Sequence, residues 1–142
     1  FYNDKECKAL QTNLEPKNYD AIDVVVKDGD RDYIIYQILG GIYYEENVDN
    51  CYIKQKKIVS ELKNIFSNNV KKNSYTKKHA ADITGNSSNT TTQFEFKSKD
   101  VVRVSCYDWG KQIEDERGYT DNLRVTIIEA NFRNWVNTKA HE

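Results

Sequence analysis

Three aspartates alternate in "KDGDRDY", residues 27–33: Asp28, Asp30 and Asp32. That spacing matches the first three ligands of a helix–loop–helix calcium loop, where carboxylate oxygens surround the ion. Such a loop also needs glycine at its sixth position and a bidentate glutamate at its twelfth. Counted from Asp28, those positions hold Tyr33 and Leu39. The stretch therefore reads as a turn, with an Asp accepting a backbone N–H bond to cap a following helix. No metal is expected.

A second chemistry would use Cys106 as a nucleophile and His79 as its base, with Asp108 nearby. Cysteine hydrolases need that pair adjacent in space, not in sequence. In "VVRVSCY", however, Cys106 shares a strand face with Val102 and Val104, where a thiol packs as a small apolar group. The other histidine, His141, is one residue from the end. Cys7, Cys51 and Cys106 lie far apart, without the close ligand pairs of a zinc site. No phosphate loop, dinucleotide fingerprint or nucleophile elbow occurs. These residues favour a non-enzyme without a cofactor, and the cysteine-centred hydrolase (Cys106, His79) is the alternative.

Recognition is the third chemistry. The stretch "DWGKQIEDERGYTDN", residues 108–122, joins two expected strands and is too long for a plain hairpin turn. Long loops on a rigid frame often carry function. Trp109, Arg117 and Tyr119 are side-chain types favoured as interface anchors, so this loop is the expected surface for a protein partner. Trp109 has a competing role, folding back to cap the core. Glu114, Asp115 and Glu116 are consecutive and cannot all face one ion, so they read as a solvated tip.

Charge offers a further alternative. Residues 1–50 carry a net −6, residues 51–78 a net +7 and residues 79–142 a net −2. Lys54, Lys56, Lys57, Lys71, Lys72, Lys77 and Lys78 supply nearly all of the basic segment. They would suit a polyanion or a membrane surface. Nucleic acid is not expected, because the cations are almost all Lys and few aromatic readers accompany them.

The elements that must position these groups are uneven in clarity. Residues 51–66 form the plainest helix, with Ile58, Val59, Leu62, Ile65 and Phe66 on one stripe. Residues 4–14 read as a short helix ended by Pro16. Residues 21–27 are a strand or a helix end. Residues 32–46 fit a helix through Ile34, Ile35, Ile38, Leu39 and Ile42, although Gly40-Gly41 between Tyr/Ile runs is also a hairpin signal. On the helical reading the glycines let a neighbour approach closely.

Residues 67–92 have no periodicity and read as a long mobile surface loop. The "NSS" and "NTT" glycosylation patterns at Asn86 and Asn89 are expected to be chance matches in so Asn- and Ser-rich a stretch. "TQFEFK", "VVRVSCY" and "NLRVTII" alternate as strands with one solvated face, bearing Arg103, Ser105, Arg124 and Thr126. A last helix docks through Phe132, Trp135 and Val136. The expected architecture is one α+β domain: N-terminal helices, then a three-stranded antiparallel meander with the C-terminal helix packed on it.

The chain has 142 residues, a net charge of −1 and no Met, and begins Phe1-Tyr2-Asn3. That start is expected of a processed or trimmed chain. No apolar run approaches the roughly 18 residues of a membrane span. Widely spaced cysteines without metal spacing point to a disulfide and hence to a periplasmic or secreted setting. The expected bridge is Cys7–Cys51, both near helix starts in polar sequence, with Cys106 left as a core thiol. The reading overall is a small extracytoplasmic binding protein, such as an inhibitor, immunity-type or accessory surface factor.

Overall fold

The computed structural model describes residues 17–27, 29, 31–32, 34–45, 47–66 and 69–138, and the backbone of 7–11. In chain order the elements are β1 (Cys7–Gln11), β2 (Ala21–Lys27), β3 (Ile35–Tyr44), α1 (Val48–Phe66), β4 (Lys71–Lys78), β5 (Ser88–Glu95), β6 (Val101–Asp108), α2 (Lys111–Arg117), β7 (Asp121–Ile128) and α3 (Ala130–Thr138). The strands form one sheet in the order β1-β2-β3-β7-β6-β5-β4. Every neighbouring pair is antiparallel.

The α+β class stands, but the three-stranded meander with N-terminal helices is corrected to a seven-stranded sheet. Residues 7–11, read as part of a helix, are an edge strand. Residues 35–44, also read as helix, are β3, near the middle of the sheet. The i, i+3, i+4 recurrence of isoleucines there is coincidental. Ile38 and Ile42 lie on one face and Leu39 on the other, and the β-branched and tyrosine content favours the pleated surface.

The "KDGDRDY" stretch joins β2 to β3, with Gly29 at φ +73° providing the left-handed turn. A strand follows it, so the expected helix cap is corrected. Asp28 and Asp30 lie outside the described residues, as do His141 and the chain start. Among the described residues no cluster of three or more His, Cys, Asp or Glu could hold a metal, and no helix is long and apolar enough to cross a membrane.

Residues 71–78, expected to belong to a mobile loop, form the edge strand β4 and pair with β5 from Lys71↔Glu95 to Lys78↔Ser88. Apart from Tyr75, their side chains are exposed on both faces of the edge, so no apolar alternation marks the strand. Its lysines suit an edge that must not pair with another chain.

Helix α1 starts where Asn47 Oδ1 accepts the Asp49 N–H at 2.8 Å. It crosses one sheet face, where Cys51, Val104, Cys106 and Leu123 form the core with Ile58, Val59 and Leu62 around them. Buried Gln55 donates from Nε2 to the carbonyls of Thr90 (2.7 Å) and Val104 (2.9 Å), satisfying polar groups beneath the helix. Cys51 is bonded to Cys106, which ties α1 to β6. This corrects the expected Cys7–Cys51 bridge; the Cys7 side chain is outside the described set. The pairing follows from packing: Cys106 points to the same apolar face that the first turn of α1 covers.

Among the described residues, the other face is covered by a helix at one end only. There Phe132 of α3 packs on Val25, Val101 and Ile128, and Arg133 pairs with Glu95 at 3.2 Å. Among the described residues, the remainder of that face has no helix packed on it.

Candidate functional site

The open end is bounded by two connections. The β4–β5 turn, residues 79–87, is organised around Asp82. Its Oδ1 accepts from Thr84 N–H (2.8 Å) and Oγ1 (2.6 Å), and its Oδ2 from Ser87 N–H and Oγ, both at 2.7 Å. These donors hold the carboxyl far below the usual carboxylate range. Ser87 Oγ in turn accepts the Gly110 N–H at 2.9 Å. A Cβ at Gly110 would lie 2.9 Å from Asn86 Cβ, so only glycine allows the two connections to meet this closely.

The second connection runs from β6 through α2 to β7. The stretch expected as a loop thus holds a short helix, anchored by buried Ile113 and ended by Gly118 at φ +64°. Trp109 donates its backbone N–H to Asp121 Oδ1 at 2.7 Å. Burial raises the Asp121 carboxyl most, the Asp108 and Glu114 charges add to this, and the Trp109 bond opposes them.

Trp109 is 8% exposed. Its ring lies 4.4 Å from that of His79, 4.7 Å from Tyr119 and 6.0 Å, stacked, from Tyr107. Trp109 therefore forms a wall rather than a protruding anchor. Tyr119, 39% exposed, presents the accessible part of that wall. Arg117 is exposed in the last turn of α2 and does not line the groove. Of the three expected anchors, the fold brings together Trp109 and Tyr119 only.

The wall borders a groove of about 720 Å³ over the sheet. Strand alternation builds its floor: Asp23 from β2, Leu39 and Gly41 from β3, Tyr107 from β6, Asn122 and Arg124 from β7. Ala21 and Gly41 face each other in register, and a Cβ at Gly41 would meet nothing within 4 Å, so small residues form the floor there. A smaller notch of about 250 Å³ continues between Tyr43 and Tyr119. Tyr43 is 53% exposed at its rim.

Two polar groups are held firmly. Asn122 donates from Nδ2 to the Thr120 carbonyl at 2.7 Å and accepts Arg124 Nε–H through Oδ1 at 2.9 Å. The Arg124 guanidinium lies 4.4 Å over the Tyr107 ring, a cation–π contact. Burial lowers the His79 pKa most and the Arg124 charge lowers it further, with Asp82 opposing. His79 Nδ1 accepts the Ala81 N–H at 3.2 Å, so the neutral ring carries its proton on Nε2.

The cysteine-centred alternative is not assembled. The Cys106 sulfur is consumed in the bridge to Cys51, on the α1 face. His79 packs on Tyr107, on the opposite face. Asp108 accepts from the Tyr52 hydroxyl at 3.4 Å on the α1 side.

The lysines are dispersed as well. Lys54, Lys56 and Lys57 are on α1, with Lys56 and Lys57 exposed. In β4, alternation sends Lys71 and Lys77 to the groove face and Lys72 and Lys78 to the other. Lys77 sits over Tyr75 at 4.9 Å, and Lys78 donates to the Gly85 carbonyl.

Sequence reasoning missed Tyr43, Tyr107, Asn122 and the role of His79. Its alternation did place Arg124 on the solvated face, and extending that alternation by one step reaches Tyr107 and Asn122. Reading β3 as a helix concealed the floor. No protein-family model matches the chain, and no curated protein or solved structure is detectably similar to it.

Proposed function

We propose that the protein works by binding another protein, one segment of which enters the groove between the Trp109–Tyr119 wall and the Tyr43 rim. The single observation that carries this is a concave, partly aromatic face left open among the described residues beside a rigidly held Trp109, with Tyr43 and Tyr119 exposed at its mouth. Docking sites combine apolar walls with a few fixed polar groups, and rigid aromatic anchors lose little conformational freedom on binding. The Cys51–Cys106 bridge supports an oxidising, periplasmic or secreted setting, where such bonds persist. An inhibitor, immunity-type or accessory surface factor would act in this way.

The test is capture of partners from the extracytoplasmic fraction of the source organism by wild type, Gly41→Leu and the double variant Tyr43→Ala with Tyr119→Ala. A Cβ at position 41 meets nothing within 4 Å, so Leu there projects into the groove. Loss of the same partner in both folded variants supports groove docking. Capture at wild-type level by folded Gly41→Leu overturns it. Capture that collapses between about 50 and 200 mM salt, and is insensitive to Gly41→Leu, marks polyanion binding through the lysines instead.

A further inference from the structure

Arg124 lies where the groove and the notch meet, lining both. Its Nε–H is engaged by Asn122 Oδ1 and its plane rests on Tyr107. An arginine carries five N–H donors, and no acceptor among the described residues engages the four on its Nη atoms. No carboxylate of the described residues forms an ion pair with it. The guanidinium is thus held in one orientation by a ring below and an amide at its side. Its cross-strand neighbour Gly41 has no side chain to cover it. Asp23, the carboxylate that lines the groove, is on β2, two strands away and displaced by two residues along the strand, which places its Cα roughly 12 Å from that of Arg124 at the usual strand spacings.

We propose that Arg124 reads a carboxylate, and that the segment docked in the groove is an acidic peptide whose Asp or Glu side chain forms a two-pronged bond with the Arg124 Nη donors. This deepens the groove-docking reading and rests on it. A planar fork fixed by stacking matches the two oxygens of a carboxylate. One arginine, with a neutral His79 beside it and Asp23 on the same floor, matches a single negative charge. Phosphate and sulfate groups are usually met by several cations or by helix N-termini, and this groove offers neither. An aromatic side chain next to the acid would lie against the exposed part of the Tyr119 wall. Positioning falls to Asn122 and Tyr107, and recognition to Arg124.

The experiment is an NMR titration of the isotope-labelled full chain with two probes: the capped peptide acetyl-Glu-Tyr-Glu-amide and its neutral counterpart acetyl-Gln-Tyr-Gln-amide. The expected result is saturable movement of the Arg124 Nε–H and Trp109 indole N–H signals by the acidic peptide. The neutral peptide binds about tenfold more weakly or worse, as for loss of a charge-assisted bond. Arg124→Gln reduces acidic-peptide binding to the level of the neutral peptide. Arg124→Lys, which keeps the charge but not the fork, recovers only part of it.

Equal binding of the two peptides overturns the proposal, as does wild-type affinity of Arg124→Gln for the acidic one. So do shifts that fail to saturate by about 10 mM peptide, or tighter binding of inorganic phosphate or of a sulfated polysaccharide. The two readings fail separately. If partner capture is lost in Gly41→Leu but kept in Arg124→Gln, docking stands and the carboxylate assignment falls. If capture survives Gly41→Leu, docking itself falls.

Discussion

The His79 and Trp109 rings, 30 residues apart in sequence, meet at 4.4 Å and join the β4–β5 turn to the β6–β7 connection. Together with the Gly110 N–H bond to Ser87 Oγ at 2.9 Å, that contact holds the two connections to one another and fixes the groove wall.

The depressed pKa of His79 makes this contact sensitive to pH. The unfolded chain titrates near the ordinary histidine value of about 6.5, while the folded His79 titrates lower because of burial and the Arg124 charge. The unfolded state therefore binds more protons in that window, so stability rises with pH. His79 contributes fully above about pH 6.5, and the contribution is lost as pH falls through the folded value. Asp121 acts oppositely: its raised pKa favours folding below the ordinary range and withdraws that support as pH rises through the folded value. NMR titration should place the His79 ring pKa below that of a model histidine, and His79→Gln should flatten the decline in urea midpoint between about pH 7 and 5. An unshifted ring would refute the account.

Adjacent glycines should respond in opposite ways. A Cβ at Gly40 would sit 2.7 Å from Tyr19 Cδ1, so Gly40→Ala forces that ring aside and should cost about 1–3 kcal/mol, as overpacking does. Gly41→Leu faces open groove and should change stability by no more than about 0.5 kcal/mol. Urea denaturation of both variants decides this, and equal costs would contradict the assignment of the two positions to opposite faces.

The bridge closes a segment spanning 55 positions. Replacing Cys51 and Cys106 together by Ser should cost about 4 kcal/mol in the chain-entropy model. Non-reducing peptide mapping should recover the Cys51 and Cys106 peptides joined. A Cys7–Cys106 or Cys7–Cys51 peptide would contradict the packing described.

Amide exchange should separate β4 from a mobile loop. Amides of Lys71–Lys78 that point towards β5 should be protected, alternating with fast outward-pointing ones, as expected for a paired edge strand. Uniformly fast exchange over residues 71–78 would place this segment outside the sheet.

Elements with one covered face were legible before folding was considered. The stripe of Ile58, Val59 and Leu62 announces α1, and the alternation of Val102 and Val104 announces β6, because each buries a single apolar side. β3 was not legible, since its two faces meet different neighbours: Ile42 packs near α1 while Leu39 and Gly41 floor the groove. Two half-apolar faces together imitate a helical recurrence. β4 was not legible either, because an edge strand solvated on both sides has no apolar period to show.

What the sequence determined by itself is therefore local: the α+β class, the helices α1 and α3, the strands β6 and β7 with the second half of β5 (its first half, 88–91, fell in the expected loop), and Trp109 and Tyr119 as chemically apt residues on the β6–β7 connection. The partner of Cys106, the separation of His79 from that sulfur, and the meeting of Arg124 with Tyr107 were decided by tertiary structure alone. Each depends on which face of a strand a side chain takes and which strand lies beside it. Local propensity is blind to that choice, because β3 and β7 are brought together by the crossing of α1 and the return of the β4–β7 meander, across more than seventy intervening residues.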